Sequence, residues 1–143
     1  GTTLLPGCRH NLFHVVYVGD LVESMVAAMH KRPAGVNVYT VGNEPVPTMD
    51  RFWRTFCKYL ELPPPRYLPK WLVYPLGLVL EFIYLALKLK SPPLLTRARV
   101  YMCYASNVYD ITRAKRELGF EGGTTLEAGV AKTVRWWKMN GFL

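Results

Sequence analysis

The chain has 143 residues, half of them hydrophobic and a fifth charged, with a formal charge of +8. That suffices for one domain with its own core, is too short for two ordinary ones, and excludes both a disordered tail and a polytopic membrane protein. The positive excess suits an acidic partner, but the basic residues scatter at helical spacings instead of forming a block, which argues against nucleic acid.

In chain order, Gly1–Asn11 reads as loop, and Phe13–Val18 (FHVVYV) as a buried strand. Asp20 and Glu23 have capping-box spacing, which predicts a helix to about Lys31 with Leu21, Met25, Ala28 and Met29 on one inward face. Arg32-Pro33-Ala34-Gly35 ends it. Val36–Val41 (VNVYTV) alternates as a second strand before the turn Gly42-Asn43-Glu44-Pro45. Thr48 can cap a helix to about Leu60 that buries Phe52, Phe56, Tyr59 and Leu60, and Pro63-Pro64-Pro65 breaks it. Arg66–Pro69 is an extended link.

Trp71–Lys90 (WLVYPLGLVLEFIYLALKLK) is the greasiest stretch, apolar to Leu87 except for Glu81, and Ser91-Pro92-Pro93 follows as a hard stop. Four readings stand for it: a core helix, the roof of a lipid pocket, an interfacial helix whose Lys70, Lys88 and Lys90 snorkel to headgroups, or a span at the short end of the required length. Beyond it, Thr96 can cap a short helix with Arg97, Arg99, Val100 and Tyr101. Asn107–Tyr109 is extended, and Asp110 caps a helix to Leu118 with Gly119 as its terminating glycine. Gly122-Gly123 turns the chain. Thr124 and Glu127 form a second capping box, and the last helix sends Val130, Val134 and Trp137 inward until about Gly141. About five helices with two or three short strands make an α/β chain.

Complete chemical motifs are scarce. Tyr84-x-x-x-Lys88 has the spacing that places a phenol and an ammonium on one helical face, but no strand or glycine-rich loop precedes it, so coincidence is the better reading. Cys8, His10 and His14 straddle a loop and a strand start without a fourth metal ligand, and no metal is expected. Three cysteines (Cys8, Cys57, Cys103) without CxxC read as reduced thiols. No GxGxxG, GxxxxGK[ST] or GxSxG occurs. Arg97 and Arg99 could clamp a phosphate or carboxylate, meet Glu81, or meet an anionic membrane.

The order of FHVVYVGDLVESMVAAM, GVNVYTVGNEPVP, the apolar segment, PPLLTRARVY, YDITRAKRELGF and TTLEAGVAKTVRWWKMNGFL resembles the C-terminal half of an extended short-chain dehydrogenase. Within that superfamily it is most similar to the 3β-hydroxysteroid dehydrogenase branch. The resemblance implies an α/β fold in which the chain supplies the C-terminal substrate lobe and last strands and helices of an extended Rossmann-type enzyme. Residues 1–47 would end the Rossmann-like core as strand–helix–strand, and 48–143 would form a mostly helical substrate lobe. The N-terminal nucleotide-binding part would lie upstream, with the glycine-rich loop, the catalytic Tyr-x-x-x-Lys and most contacts to NAD or NADP. The chain alone would be inactive, with no catalytic residue of its own.

At the position where nucleotide-sugar epimerases typically carry arginine, this chain has Phe13, which suits a flat apolar substrate better than a sugar nucleotide. The expected substrate is therefore a steroid or sterol-like 3β-alcohol. Its expected contacts are Phe13, Trp71, Tyr74, Arg97 and Tyr101. The alternatives kept open are a nucleotide-sugar epimerase or dehydratase, a dihydroflavonol-type reductase, and a non-catalytic membrane-associated protein. A membrane surface meeting Trp71–Lys90 and a homodimer are the other partners entertained. The expected location is the cytoplasmic face of a membrane, the endoplasmic reticulum in a eukaryote.

Overall fold

A computed structural model describes residues 3–31, 34–89, 93 and 95–143. In chain order the elements are β1 (Leu4–Pro6), α1 (Val18–Lys31), α2 (Met49–Tyr59), β2 (Arg66–Leu68), α3 (Lys70–Ala86), α4 (Arg97–Tyr104), α5 (Thr112–Leu118) and α6 (Leu126–Met139). They group into two compact units, Gly1–Leu12 with Thr48–Asn107 and Phe13–Pro47 with Val108–Leu143. The chain passes between units at 12/13, 47/48 and 107/108.

In the first unit β1 and β2 pair in parallel, Leu4 opposite Arg66 and Pro6 opposite Leu68. This pairing corrects the sequence reading, which took the first segment as loop and the second as an unpaired extended link; three residues are too few for an alternating pattern to register. Thr48 caps α2 as expected, its hydroxyl accepting from the Arg51 N–H at 3.2 Å. Met49, Thr55 and Cys57 are the buried side chains of α2, whereas Phe52 and Phe56 are half-buried and pack on Trp53. α3 follows Pro69 and contains Pro75 at its sixth position, past the first turn, where the ring forfeits the hydrogen bond to the Trp71 carbonyl. It closes at Lys88, which takes the left-handed conformation at φ 50. Lys90 and the predicted stop at Ser91–Pro92 lie outside the described residues, as does Arg32–Pro33 after α1.

α3 and α4 pack through a seam in which Val73 and Val100 are buried. Gly77 lies in this seam, where a Cβ would stand 3.5 Å from the Arg97 nitrogen and 3.6 Å from Val100 Cγ2, at ordinary contact. Thr96 caps α4 as expected, accepting from the Arg99 N–H at 3.2 Å.

In the second unit, 13–17 and 36–43 are extended but form no named strand, contrary to expectation. A strand needs a neighbour sharing repeated hydrogen bonds. Here 15–17 and 43 share only the Asn43 N–H on the Val15 carbonyl, 2.8 Å, and the Tyr17 N–H on Asn43 Oδ1, 2.7 Å. Some of their side chains still face inward, while Val36 and Val38 are exposed. Val16, Tyr39 and Val41 pack on the core of Ile111, Ala114 and Phe120.

Both capping boxes are also corrected. α1 starts at Val18, so Asp20 lies inside its first turn and is buried instead of capping it. Thr125, not Thr124, caps α6, accepting from the Ala128 N–H at 3.3 Å. The inward face expected for α1 is likewise replaced: Asp20 and Ser24 are its buried residues, while Met25 and Met29 are exposed. Gly119 ends α5 at φ 70 as expected, and Val130 and Val134 are buried on α6.

Candidate functional site

The first unit holds a groove of about 660 Å³ along the C-terminal half of α3. Leu78, Phe82, Leu85 and Leu89 supply its apolar wall, while Glu81, Lys88 and Arg97 supply charge. Leu78, Phe82 and Leu85 recur at helical spacing on α3, which is why they form a continuous wall, and Leu89 joins them from beyond the helix end. Glu81 Oε1 accepts the Arg97 N–H at 2.6 Å, and Oε2 accepts Arg97 Nε at 2.7 Å. The backbone bond from Arg97, then its guanidinium, holds the Glu81 carboxyl below the usual range. The same pair raises Arg97, with the Tyr74 hydroxyl contributing. Among the readings open for Arg97, the ion pair with Glu81 is the one formed.

Of the other expected substrate residues, Tyr74 joins Arg97, and Tyr101 lies beneath Lys70, whose Nζ is 5.6 Å from the ring centre. Trp71 is 75% exposed and is not among the groove-lining residues. Phe13 belongs to the second unit, where its N–H donates to the Pro47 carbonyl at 2.9 Å. Tyr84 and Lys88 both border the groove, but α3 ends at Ala86 and Lys88 lies past the cap, so they do not share a helical face. Sequence reasoning missed Phe82 and Leu85 as groove residues, although their spacing with Leu78 and Leu89 was legible.

The second unit is organised by a buried carboxylate. Asp20 is 6% exposed and accepts from the Thr124 hydroxyl at 2.6 Å, the Thr124 N–H at 3.1 Å and the Asn43 amide. Asn43 also donates to the Gly122 carbonyl at 2.9 Å. Burial alone would push the Asp20 carboxyl up; the bonds from Thr124 and Asn43, aided by Lys132, overcome it and hold the group below its ordinary value. A polar cleft of about 370 Å³ lies beside it, bordered by Glu23, Ser24 and the Gly122–Thr124 loop. The Asp20 bonds join α1 to the loop before α6 and the turn at Asn43, so its evident task is structural. His14 is similarly employed, its Nδ1 accepting the Tyr109 N–H at 3.1 Å. Among the described residues no cluster of three or more His, Cys, Asp or Glu could hold a metal.

On the surface of this unit, Glu117 accepts from Arg116, Tyr39 and Arg113 at 2.9, 2.8 and 3.1 Å. Those bonds, Arg116 first, push its carboxyl down to about 2 from an ordinary 4.5. A lowered folded-state value means that its contribution is complete above 4.5 and is lost as pH falls through about 2. Replacing Glu117 by Gln is therefore expected to flatten the acid limb of a urea-unfolding stability profile in that window. Superimposable limbs would contradict this role.

No family model matches the chain. The 2-alkyl-3-oxoalkanoate reductase of Shewanella oneidensis is 28% identical over 138 residues, covering 92% of this chain and 36% of the reductase. The decarboxylating sterol-4-alpha-carboxylate 3-dehydrogenase ERG26 of Candida albicans is 28% identical over 149 residues, covering 91% of this chain and 39% of the dehydrogenase. The chain thus spans under two-fifths of the length of these curated relatives. Solved structures share its fold at TM-scores of 0.56 and 0.65. One is UDP-glucose 4-epimerase from Bifidobacterium longum in complex with NAD+ and UDP, 19% identical with a TM-score of 0.56, covering 92% of this chain and 31% of the epimerase. The chain is therefore similar in sequence to a reductase and a dehydrogenase and in fold to an NAD+-binding epimerase. Its described residues include no glycine-rich strand-to-helix turn that would cradle a dinucleotide pyrophosphate, so this chain's own residues do not fit that group.

Proposed function

We propose that the chain is the substrate-binding part of an NAD(P)-dependent oxidoreductase acting on the 3β-hydroxyl of a steroid or sterol-like lipid. The observation that carries this reading is the match of nine-tenths of the chain to two oxidoreductases, one named for a 2-alkyl-3-oxoalkanoate and one for a sterol carboxylate. Their names describe one chemistry: oxygen at C3 beside a substituted carbon, on an alkyl or sterol skeleton that bears a carboxylate. The apolar wall of Leu78, Phe82 and Leu85 supports the same reading, since a groove of this size and lining suits a flat hydrocarbon better than a sugar nucleotide. NAD or NADP would be held by residues outside this chain, so no catalytic group is assigned within it. Arg97, steadied by Glu81 and with Tyr74 beside it, would stand at the polar end of the groove.

The groove wall provides the test. In the full natural polypeptide, Leu78→Arg is expected to raise KM for a 3β-hydroxysteroid about 10-fold or more, since burying a leucine side chain contributes roughly 1.5–3 kcal/mol. Little change in kcat is expected. An unchanged KM, with thermal unfolding also unchanged, would remove this wall from the substrate surface.

A further inference from the structure

The groove along α3 carries a surplus positive charge. Glu81, Lys88 and Arg97 border it, and among the described residues Glu81 is its one carboxylate. Arg97 holds both Glu81 oxygens, at 2.6 and 2.7 Å, so that pair is closed. The charge left over is Lys88, two helical turns or about 10 Å beyond Glu81. An ammonium beside an apolar wall offers an anion a partner that is shielded from water on one side.

The way the backbone holds Lys88 points in the same direction. α3 ends in a closed turn, in which the Leu89 N–H donates to the Tyr84 carbonyl at 3.0 Å and the Lys88 N–H to the Leu85 carbonyl at 3.1 Å. These two bonds form the helix terminator whose left-handed residue is usually glycine. The end of α5 follows that habit with Gly119 at φ 70, whereas the end of α3 uses Lys88 at φ 50. A side chain there costs stability relative to glycine, because its Cβ crowds the following carbonyl. A cation does suit the C-terminal end of a helix dipole, but any position in the last turn provides that benefit without a left-handed backbone. The turn also brings Leu89 onto the wall of Leu78, Phe82 and Leu85, with Lys88 on the same border. Strain kept at the rim of a groove marks a functional position.

We propose that Lys88 is a specificity-determining residue of this groove, its Nζ pairing with the carboxylate of an amphiphilic substrate whose apolar body lies on Leu78, Phe82, Leu85 and Leu89. Since Lys88 and the Glu81–Arg97 pair are about 10 Å apart, a ligand that meets both carries its carboxylate at the end of the skeleton remote from its alcohol. This deepens the substrate reading above and rests on the groove assigned there.

The test compares a 3β-hydroxysteroid bearing a side-chain carboxylate with its methyl ester. Binding to the full natural polypeptide is measured by isothermal titration, without lipid or detergent and below the micellar concentration. The acid is expected to bind about 10-fold more tightly than the ester, the gain from one charge-assisted hydrogen bond. Lys88→Met should bring the acid to the ester's affinity, and Lys88→Arg should keep the preference. Lys88→Gly should lose the preference yet unfold no earlier than the native chain, since glycine relieves the left-handed turn. Equal affinity of acid and ester in the native chain, or a preference that survives Lys88→Met, would overturn the assignment and leave the steroid reading in place. A Lys88→Gly chain that unfolds earlier and keeps the preference would overturn it too, giving Lys88 to the helix end alone. Binding of neither steroid would contradict the steroid reading. In that case a preference for dodecanoate over its methyl ester, lost in Lys88→Met, would uphold the ion pair on a different skeleton, and equal affinity for those two would overturn it.

Discussion

Asp20→Ala is expected to lower stability by about 3 kcal/mol, because it leaves two partly buried donors, the Thr124 hydroxyl and the Thr124 N–H, without their acceptor, each worth roughly 1–3 kcal/mol when unpaired. The Asn43 amide loses one partner but keeps the Gly122 and Thr124 carbonyls. Asp20→Asn should recover much of the loss. Its amide oxygen can accept from the Thr124 and Asn43 nitrogens while its NH2 donates to the Thr124 hydroxyl, which then turns to accept. The two variants also differ in what they say about pH. Since Asp20 is held below its ordinary value of 3.8, its ionised form stabilises the fold above that pH, and the contribution is lost as pH falls through the folded value. Asp20→Asn should therefore show a shallower acid limb than the native chain. Equilibrium unfolding in urea reads both effects, and a loss under about 1 kcal/mol for Asp20→Ala would show that the hydrogen bonds do not hold this unit together.

A similar loss is expected at the α3–α4 seam. Val100 has no exposed surface and faces Gly77. Val100→Asp would bury a carboxylate without a partner and should cost about 4 kcal/mol, or else force the seam open. Gly77→Ala supplies the contrast. The added methyl would meet its neighbours at 3.5 and 3.6 Å, which is ordinary contact, and alanine favours a helix by up to about 1 kcal/mol over glycine. Thermal unfolding should place Val100→Asp well below the native chain and Gly77→Ala at or above it. Equal tolerance of both substitutions would mean that α3 is not held by this seam.

The helices were largely legible because their signals are local. Thr48, Thr96 and Gly119 act within one turn of the backbone they terminate, so residue type and position suffice. The strands were not, because a strand exists only through its neighbour. FHVVYV and VNVYTV have the composition of strands and do pack inward through Val16, Tyr39 and Val41, yet the described residues offer them no ladder. Leu4–Pro6 and Arg66–Leu68 pair across sixty residues with no pattern to announce it. Asp20 and Thr124 were misread for a related reason. Each has a capping residue's spacing, but the partner of each is the other, 104 positions away, and long-range pairing leaves no trace in a local motif. The greasy character of α3 was plain from sequence; that most of its circumference would face outward was not, since burial depends on what packs against it.

Substrate class is the point on which the proposal turns, and one assay addresses it directly. The full natural polypeptide is given NAD+ or NADP+ with a 3β-hydroxysteroid, a 3-hydroxy acid on an apolar skeleton, or a UDP-sugar; reduced nicotinamide is followed by its absorbance and conversion of the sugar nucleotide by chromatography. The expected result is cofactor reduction with an apolar 3-alcohol and no turnover of the sugar nucleotide. Turnover of the UDP-sugar alone, or no reduction with any apolar alcohol, would contradict an oxidoreductase of lipid-like substrates.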